Sequence, residues 1–307
     1  VTEHRPHRLA HLLGATLTLA LLTGCSAAAS RENAKAPEAL EHVHGLGWDP
    51  ATGLTYAAAH SGVWVIPTDS LPGTYPAADA TAGSTGPIGG RAQDTMGFTI
   101  TPEGMFYASG HPDPADTTAP GPNLGLIRST DAAATWDPLS LSGETDFHDL
   151  ATVALDPSRT RVYGYDASAA TIRRSDDSGT SWTSTAQLAL RDLSADPKRP
   201  DRVFATTETG LQVSDDAGIT FQPVPGAPAL YLVESSASGE LVGVDVDGTV
   251  WTGNADGSWE SHGALTGTPE AFAIVDGKER WVLAADDRGI VASRDYGLTW
   301  TVLRPSS

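Results

Sequence analysis

The chain has 307 residues, 38 acidic side chains against 19 basic ones, a formal net charge of −19 and a single cysteine. That charge argues against nucleic acid or an anionic membrane surface as partner while suiting cations and neutral ligands, and one cysteine excludes a disulfide framework. The 32 glycines and 7% aromatic content fit a turn-rich all-β protein, and the length is ample for one large core.

In chain order, His4, Arg5, His7 and Arg8 precede the apolar run LLGATLTLALL (12–22), whose length suits a secretory signal better than a membrane span. The run ends in Leu22, Thr23, Gly24 and Cys25, which resembles the lipobox of bacterial lipoproteins, where cleavage before the cysteine is followed by diacylation of its thiol. Residues 1–24 are therefore expected to be a lipoprotein signal peptide, Cys25 the lipidated residue and 25–40 a flexible tether. This reading places the protein in the cell envelope, lipid-anchored on the extracytoplasmic side of a bacterial membrane. A plain secreted protein with a spare thiol is the alternative. Residues 41–307 are expected to form a single domain.

The folded part opens on HVHGLGWDP (42–50), where strand alternation is expected to send His42 and His44 to the same side. Further on, an octet recurs: STDAAATW (129–136), SDDSGTSW (175–182), SDDAGITF (214–221) and SRDYGLTW (293–300), with a worn copy, TGNADGSW, at 252–259. The copies end at 136, 182, 221, 259 and 300, a spacing of about 40 residues that matches one four-stranded propeller blade. They resemble the Asp-box, Ser-x-Asp-x-Gly-x-Thr-Trp, of the sialidase-like BNR repeat proteins. In such a corner Ser and Asp bind turn amides, Gly takes a positive φ and the aromatic packs under the blade. Ala133 stands where the box has Gly, which leaves the turn geometry there open. Each unit also carries a first strand, such as ATVALDP (151–157), and a second, such as LTYAAA (54–59). Six such units predict a six-bladed β-propeller, with seven blades left open by the irregular stretch 69–95.

In an up-and-down blade, the start of the first strand and the link from second to third share one face of the disc. That face is expected to receive His42, His44, Asp94, Met96, His148, Asp149, Arg191 and Asp192 from strand starts. Second-strand ends add His60, His111, Asp113, Asp166, Glu208, Asp245 and Asp286. Imidazole suits transition metals such as zinc or copper, so His42, His44, His60, His111 and His148 are candidate metal ligands. His44 with the thioether of Met96 would make a soft, copper-like corner. Asp94, Met96, Asp113 and Arg191 are the candidate contacts for a small polar ligand or glycan.

The segments HVHGLGWDP, QDTMGF, SGHPD, DFHDL and VYGYD carry a closer resemblance to bacterial lipoproteins commonly labelled glycosyl hydrolases. The resemblance implies glycoside hydrolysis as an alternative, with carboxylates drawn from Asp94, Asp149, Asp166 and Glu208. True sialidases use three arginines, whereas here only Arg191 is expected on the functional face, since Arg161, Arg202 and Arg280 begin second strands. Sialidase activity is not expected. An envelope assembly scaffold is the further alternative, because Asp-box propellers also resemble photosystem assembly factors and sorting-receptor ectodomains.

Overall fold

The computed structural model describes residues 40–76 and 82–306. Cys25, the signal segment and the tether up to residue 39 lie outside the described residues. Within them, 23 strands form six sheets of consecutive antiparallel strands, the six blades of a β-propeller. The innermost strands are Val43–Asp49, Asp94–Ile100, Phe147–Asp156, Asp192–Ala195, Leu230–Ser235 and Ala271–Val275, each packed beside the next around a central channel. Second strands such as Leu54–Ala59 and Trp281–Asp286 are buried along almost their whole length, because neighbouring blades cover both faces, so they read as unbroken apolar runs. Among the described residues no helix is long and apolar enough to cross a membrane.

All four full boxes make the same corner. The serine hydroxyl donates to the aspartate at 2.7–2.8 Å and accepts the amide four residues on at 2.8–2.9 Å. Two successive residues are left-handed in each, and Ala132 and Ala133 adopt φ of 57° and 68° as the others do. Ala133 therefore keeps the turn of the other boxes despite lacking glycine. The left-handed alanine costs about 1–2 kcal/mol, and burial of its methyl group, worth about 0.8 kcal/mol, offsets part of this. In the worn copy the Thr252 hydroxyl instead bonds His262 Nε2 at 2.8 Å.

The boxes also join blades. The carbonyl of Gly179 accepts Ser140 Oγ (2.6 Å), that of Gly218 accepts the Ala186 amide (3.0 Å) and that of Tyr296 accepts the Gly263 amide (3.1 Å). Each donor lies on the outer strand of the preceding blade.

Among the described residues the ring closes without a shared strand: the last blade is built from C-terminal strands, ending in Thr301–Pro305, and the first has three strands. Where a fourth would lie, Ser84 makes a two-bond contact with Val65, both at 3.0 Å. Side chains hold this seam: Val43, Leu46, Trp64 and Ile66 of the first blade share a core with Ala273, Trp281 and Leu283 of the last. Tyr75 wedges between them, bonding Thr55 by its hydroxyl and meeting Trp281 edge-on at 5.5 Å. Arg304 lies over Trp64 at 4.4 Å and donates to the Ser84 carbonyl.

Candidate metal centre at the channel mouth

The starts of the inner strands surround one end of the channel, and several carry a β-bulge there. In the first blade Val43 pairs with Ala59 and Gly45 with Ala58, so His44 is the extra residue; in the third, His148 is extra between Phe147 and Asp149. The second blade is irregular between Thr95 and Phe98, around Met96, and the fifth at Tyr231. A bulge breaks the period-two alternation and re-aims the side chain it carries. His42 precedes the strand with φ of 46°. His42 and His44 both reach His60, but through a turn and a bulge and not through regular strand alternation.

The rings converge by another route. His60, in the turn after Leu54–Ala59, has its ring centroid 4.6 Å from that of His44 and 5.3 Å from that of His42. Asp94, at the start of the second inner strand, places Oδ2 3.4 Å from His60 Nδ1 and Oδ1 3.9 Å from His44 Nε2. Donor atoms of His44, His60 and Asp94 all lie within 4.8 Å of one another. His44 Nε2 and Asp94 Oδ1 are buried and have no hydrogen-bond partner. Zinc–nitrogen bonds of about 2.0–2.1 Å in a tetrahedron imply donor separations of about 3.4 Å, which these three reach with small side-chain shifts. Burial, then the charges of His60, Arg191, His148 and His42, push the His44 pKa down to about 4, so it presents a neutral imidazole at neutral pH.

His111 and His148 belong to a second group, centred on Asp146. Asp146 Oδ2 lies 2.9 Å from His148 Nε2 and 3.5 Å from His111 Nε2, while Oδ1 is buried without a partner. His111 Nδ1 donates to the Pro122 carbonyl at 2.9 Å. The Asp146 hydrogen bond raises the His148 pKa against the opposing effect of burial. Asp94 and His111 face each other across the second blade, so the two groups adjoin. The five histidines thus stand as a trio and a pair. His42 is the most exposed of them and lies 3.8 Å from Glu270. Met96 is half-buried in its bulge, and the donor set beside His44 is the carboxylate of Asp94.

Below the mouth, a cavity of about 260 Å³ is lined by Asp149, Arg191, Asp192, Glu234 and Glu270, among others. Acidic side chains of one inner strand accept amides of the next: Leu193 to Asp149, Val233 to Asp192, and, across the seam, Val43 to Glu270 at 3.1 Å. Asp149 takes a second amide from Leu150, leaving neither oxygen without a donor. Burial pushes its pKa up to about 6 and raises those of Asp192 and Glu234 well above the usual range. Asp166 is held by Arg173 at 2.8 Å and by Ser168 at 2.7 Å. Glu208 is exposed in a turn, and Asp113 accepts the amides of Ala92 and Ala115. Of the four carboxylates offered for glycoside hydrolysis, Asp94 is the one with a buried, unpartnered oxygen.

The remaining arginines sit as their strand positions imply. Arg161 pairs with Asp176 and Asp201, Arg202 with Asp215, and Arg280 with Glu240 and Asp276. Sequence reasoning passed over Asp146, Glu270 and Tyr231. Asp146 lies two residues before His148, and Glu270 immediately precedes the last inner strand.

No family model matches the chain, and no curated protein matches its sequence. Among solved structures it is similar to a gluconolactonase from Xanthomonas campestris, with TM-score 0.59 and 13% identity over 83% of this chain and 86% of that one. A putative gluconolactonase gives TM-score 0.58 at 12% identity, over 88% of this chain and 93% of that one. A GH74 xyloglucanase from Xanthomonas campestris gives 0.53 at 18% identity, covering 86% of this chain and 46% of the enzyme. At these identities the likeness is one of fold, the propeller itself.

Proposed function

We propose that this protein binds one divalent transition-metal ion, zinc or copper, at the channel mouth through His44, His60 and Asp94, and presents it to a small polar ligand. One observation carries the reading: three side chains of metal-ligating type from two blades converge within 4.8 Å, and two of them, His44 Nε2 and Asp94 Oδ1, are buried without a hydrogen-bond partner. Burying such atoms without partners costs about 1–3 kcal/mol each, a cost that coordination removes. Three protein ligands also leave a coordination position for an exogenous group, the arrangement of functional rather than structural zinc sites.

Titration of metal-free protein with Zn²⁺ against a chromophoric chelator is expected to show one site of micromolar or tighter affinity. His44→Ala and Asp94→Asn should each weaken it about 100-fold or more, since loss of even an outer-shell group costs about 10–100-fold. His262→Ala, on an outer strand and bonded to Thr252, should leave it unchanged. Wild-type affinity in both mouth variants, or no one-to-one binding, ends the reading.

The lipobox-like run supports a further proposal, that the propeller is lipid-anchored through Cys25 in a bacterial envelope. Cys25→Ala should then move the protein from the membrane fraction to the soluble one. Unchanged membrane association would count against it.

A further inference from the structure

Arg191 lies across the channel mouth. It precedes the fourth inner strand, diametrically opposite the first in a ring of six, and its guanidinium passes over the Tyr231 ring at 5.1 Å. It ends with Nη2 2.8 Å from the Glu270 carbonyl. Glu270 in turn holds the Val43 amide at 3.1 Å and stands 3.8 Å from His42. The cation is therefore carried from the far side of the ring to the residue that anchors the histidine-bearing strand.

A guanidinium has five N–H donors; this one meets the Glu270 carbonyl and Tyr231, with the charges of Asp192 and Asp149 nearby but not in ion-pair contact. Among the described residues no carboxylate forms an ion pair with Arg191, in a chain with 38 acidic residues. Beside it, His148 is held by Asp146 at 2.9 Å. The overall charge of −19 repels anions, so any anion drawn here must answer to the Arg191 guanidinium and a bound metal ion. The cavity of about 260 Å³ below is lined by Asp149, Asp192, Glu234 and Glu270, so the place for a small anion is its upper edge, where both Arg191 and His44 line it.

We infer that the open side of the metal is completed by a small oxyanion, a carboxylate or phosphate group, bridged between the ion on His44, His60 and Asp94 and the guanidinium of Arg191. The inference rests on the metal reading above. Planar, forked donors match the paired oxygens of such a group, and a divalent ion supplies the second point of attachment. The competing role for Arg191 is to offset the charge of Asp149 and Asp192 below it, and that role predicts no response to anions.

The test uses Co²⁺ in place of zinc, because its visible bands report changes at the metal. Acetate and inorganic phosphate serve as probes, with glycerol as the neutral control. In the wild type at least one anion is expected to shift the bands saturably while glycerol does not, and the anion that does so identifies carboxylate or phosphate. Arg191→Gln should raise the half-saturating concentration about tenfold or more, as loss of a charge-assisted hydrogen bond does. Arg191→Lys, keeping charge without the fork, should fall between. Bands that neither anion moves, or equal half-saturation in wild type and Arg191→Gln, overturn the oxyanion while leaving the metal site standing. Absence of protein-bound cobalt bands in the wild type overturns the metal reading and the bridge with it.

Discussion

Gly263→Ala should lower stability by about 3 kcal/mol, an overpacking cost at the high end of its usual range. Gly263 lies on the outer strand Trp259–Ala264 of the fifth blade, against the Asp-box of the sixth. A Cβ there would stand 1.8 Å from the Gly297 carbonyl oxygen, 1.9 Å from its carbon and 2.3 Å from the Leu298 nitrogen. All three are backbone atoms of a corner fixed by the Ser293 and Asp295 hydrogen bonds, so no side-chain rotation relieves the overlap. The blades must separate, and the Gly263–Tyr296 bond is lost with them. A thermal melt should move down by on the order of 6–12 °C for a domain of this size. Gly73→Ala is the control, because nothing lies within 4 Å of the added carbon. A melt for Gly263→Ala within a degree or two of that control would refute the close blade contact.

Glu234→Gln should act in the opposite direction, and only on the alkaline side. Glu234 lines the channel, its pKa raised by burial first and then by the charges of Asp192, Asp149 and Asp276. For an acid whose folded pKa exceeds its unfolded value, the folded state holds the proton more tightly, so stability falls as pH rises from the unfolded pKa through the folded one. Asp149, up to about 6 from an ordinary 3.8, and Asp192 follow the same sign. Asp177 and Asp216, drawn down to about 2 by the hydroxyls and amides of their own boxes, work the other way and lose their contribution as pH falls toward 2. Together they place the stability maximum near the ordinary carboxylate pKa, about pH 4. The glutamine variant should match wild type below about pH 4, where the carboxyl is protonated folded or unfolded, and exceed it in stability at pH 8, where wild type must bury a charge or hold a proton against the solvent. A variant less stable than wild type at pH 8 would show that the carboxylate is bonded there in a way these contacts do not include.

The propeller was legible because a motif recurring about every 40 residues leaves little else to build, and strand order alone sorts loop residues between two faces. That sorting brought His44, His60 and Asp94 to one mouth and sent Arg161, Arg202 and Arg280 elsewhere. Finer placement was hidden by the bulges. An inserted residue at His44 or His148 changes neither composition nor apolar pattern, yet it redirects the imidazole. The division into a trio and a pair depends on Asp146, whose place two residues before His148 looks like ordinary turn chemistry. At Ala133, where the motif left the turn open, one departure from glycine did not alter the corner that four hydrogen-bonded copies share.

The seam between the last blade and the first bears on the order in which the molecule comes apart. Among the described residues no exchanged strand crosses it, so opening there breaks side-chain packing and a few isolated bonds while every described sheet remains whole. The first blade, short of its outer strand, is then the unit expected to exchange its amide hydrogens soonest. It also supplies two of the three donors for the metal, and Asp94 on the second blade supplies the third. An ion held there would fasten the loosest blade to its neighbour, making the lifetime of the closed ring depend on metal concentration.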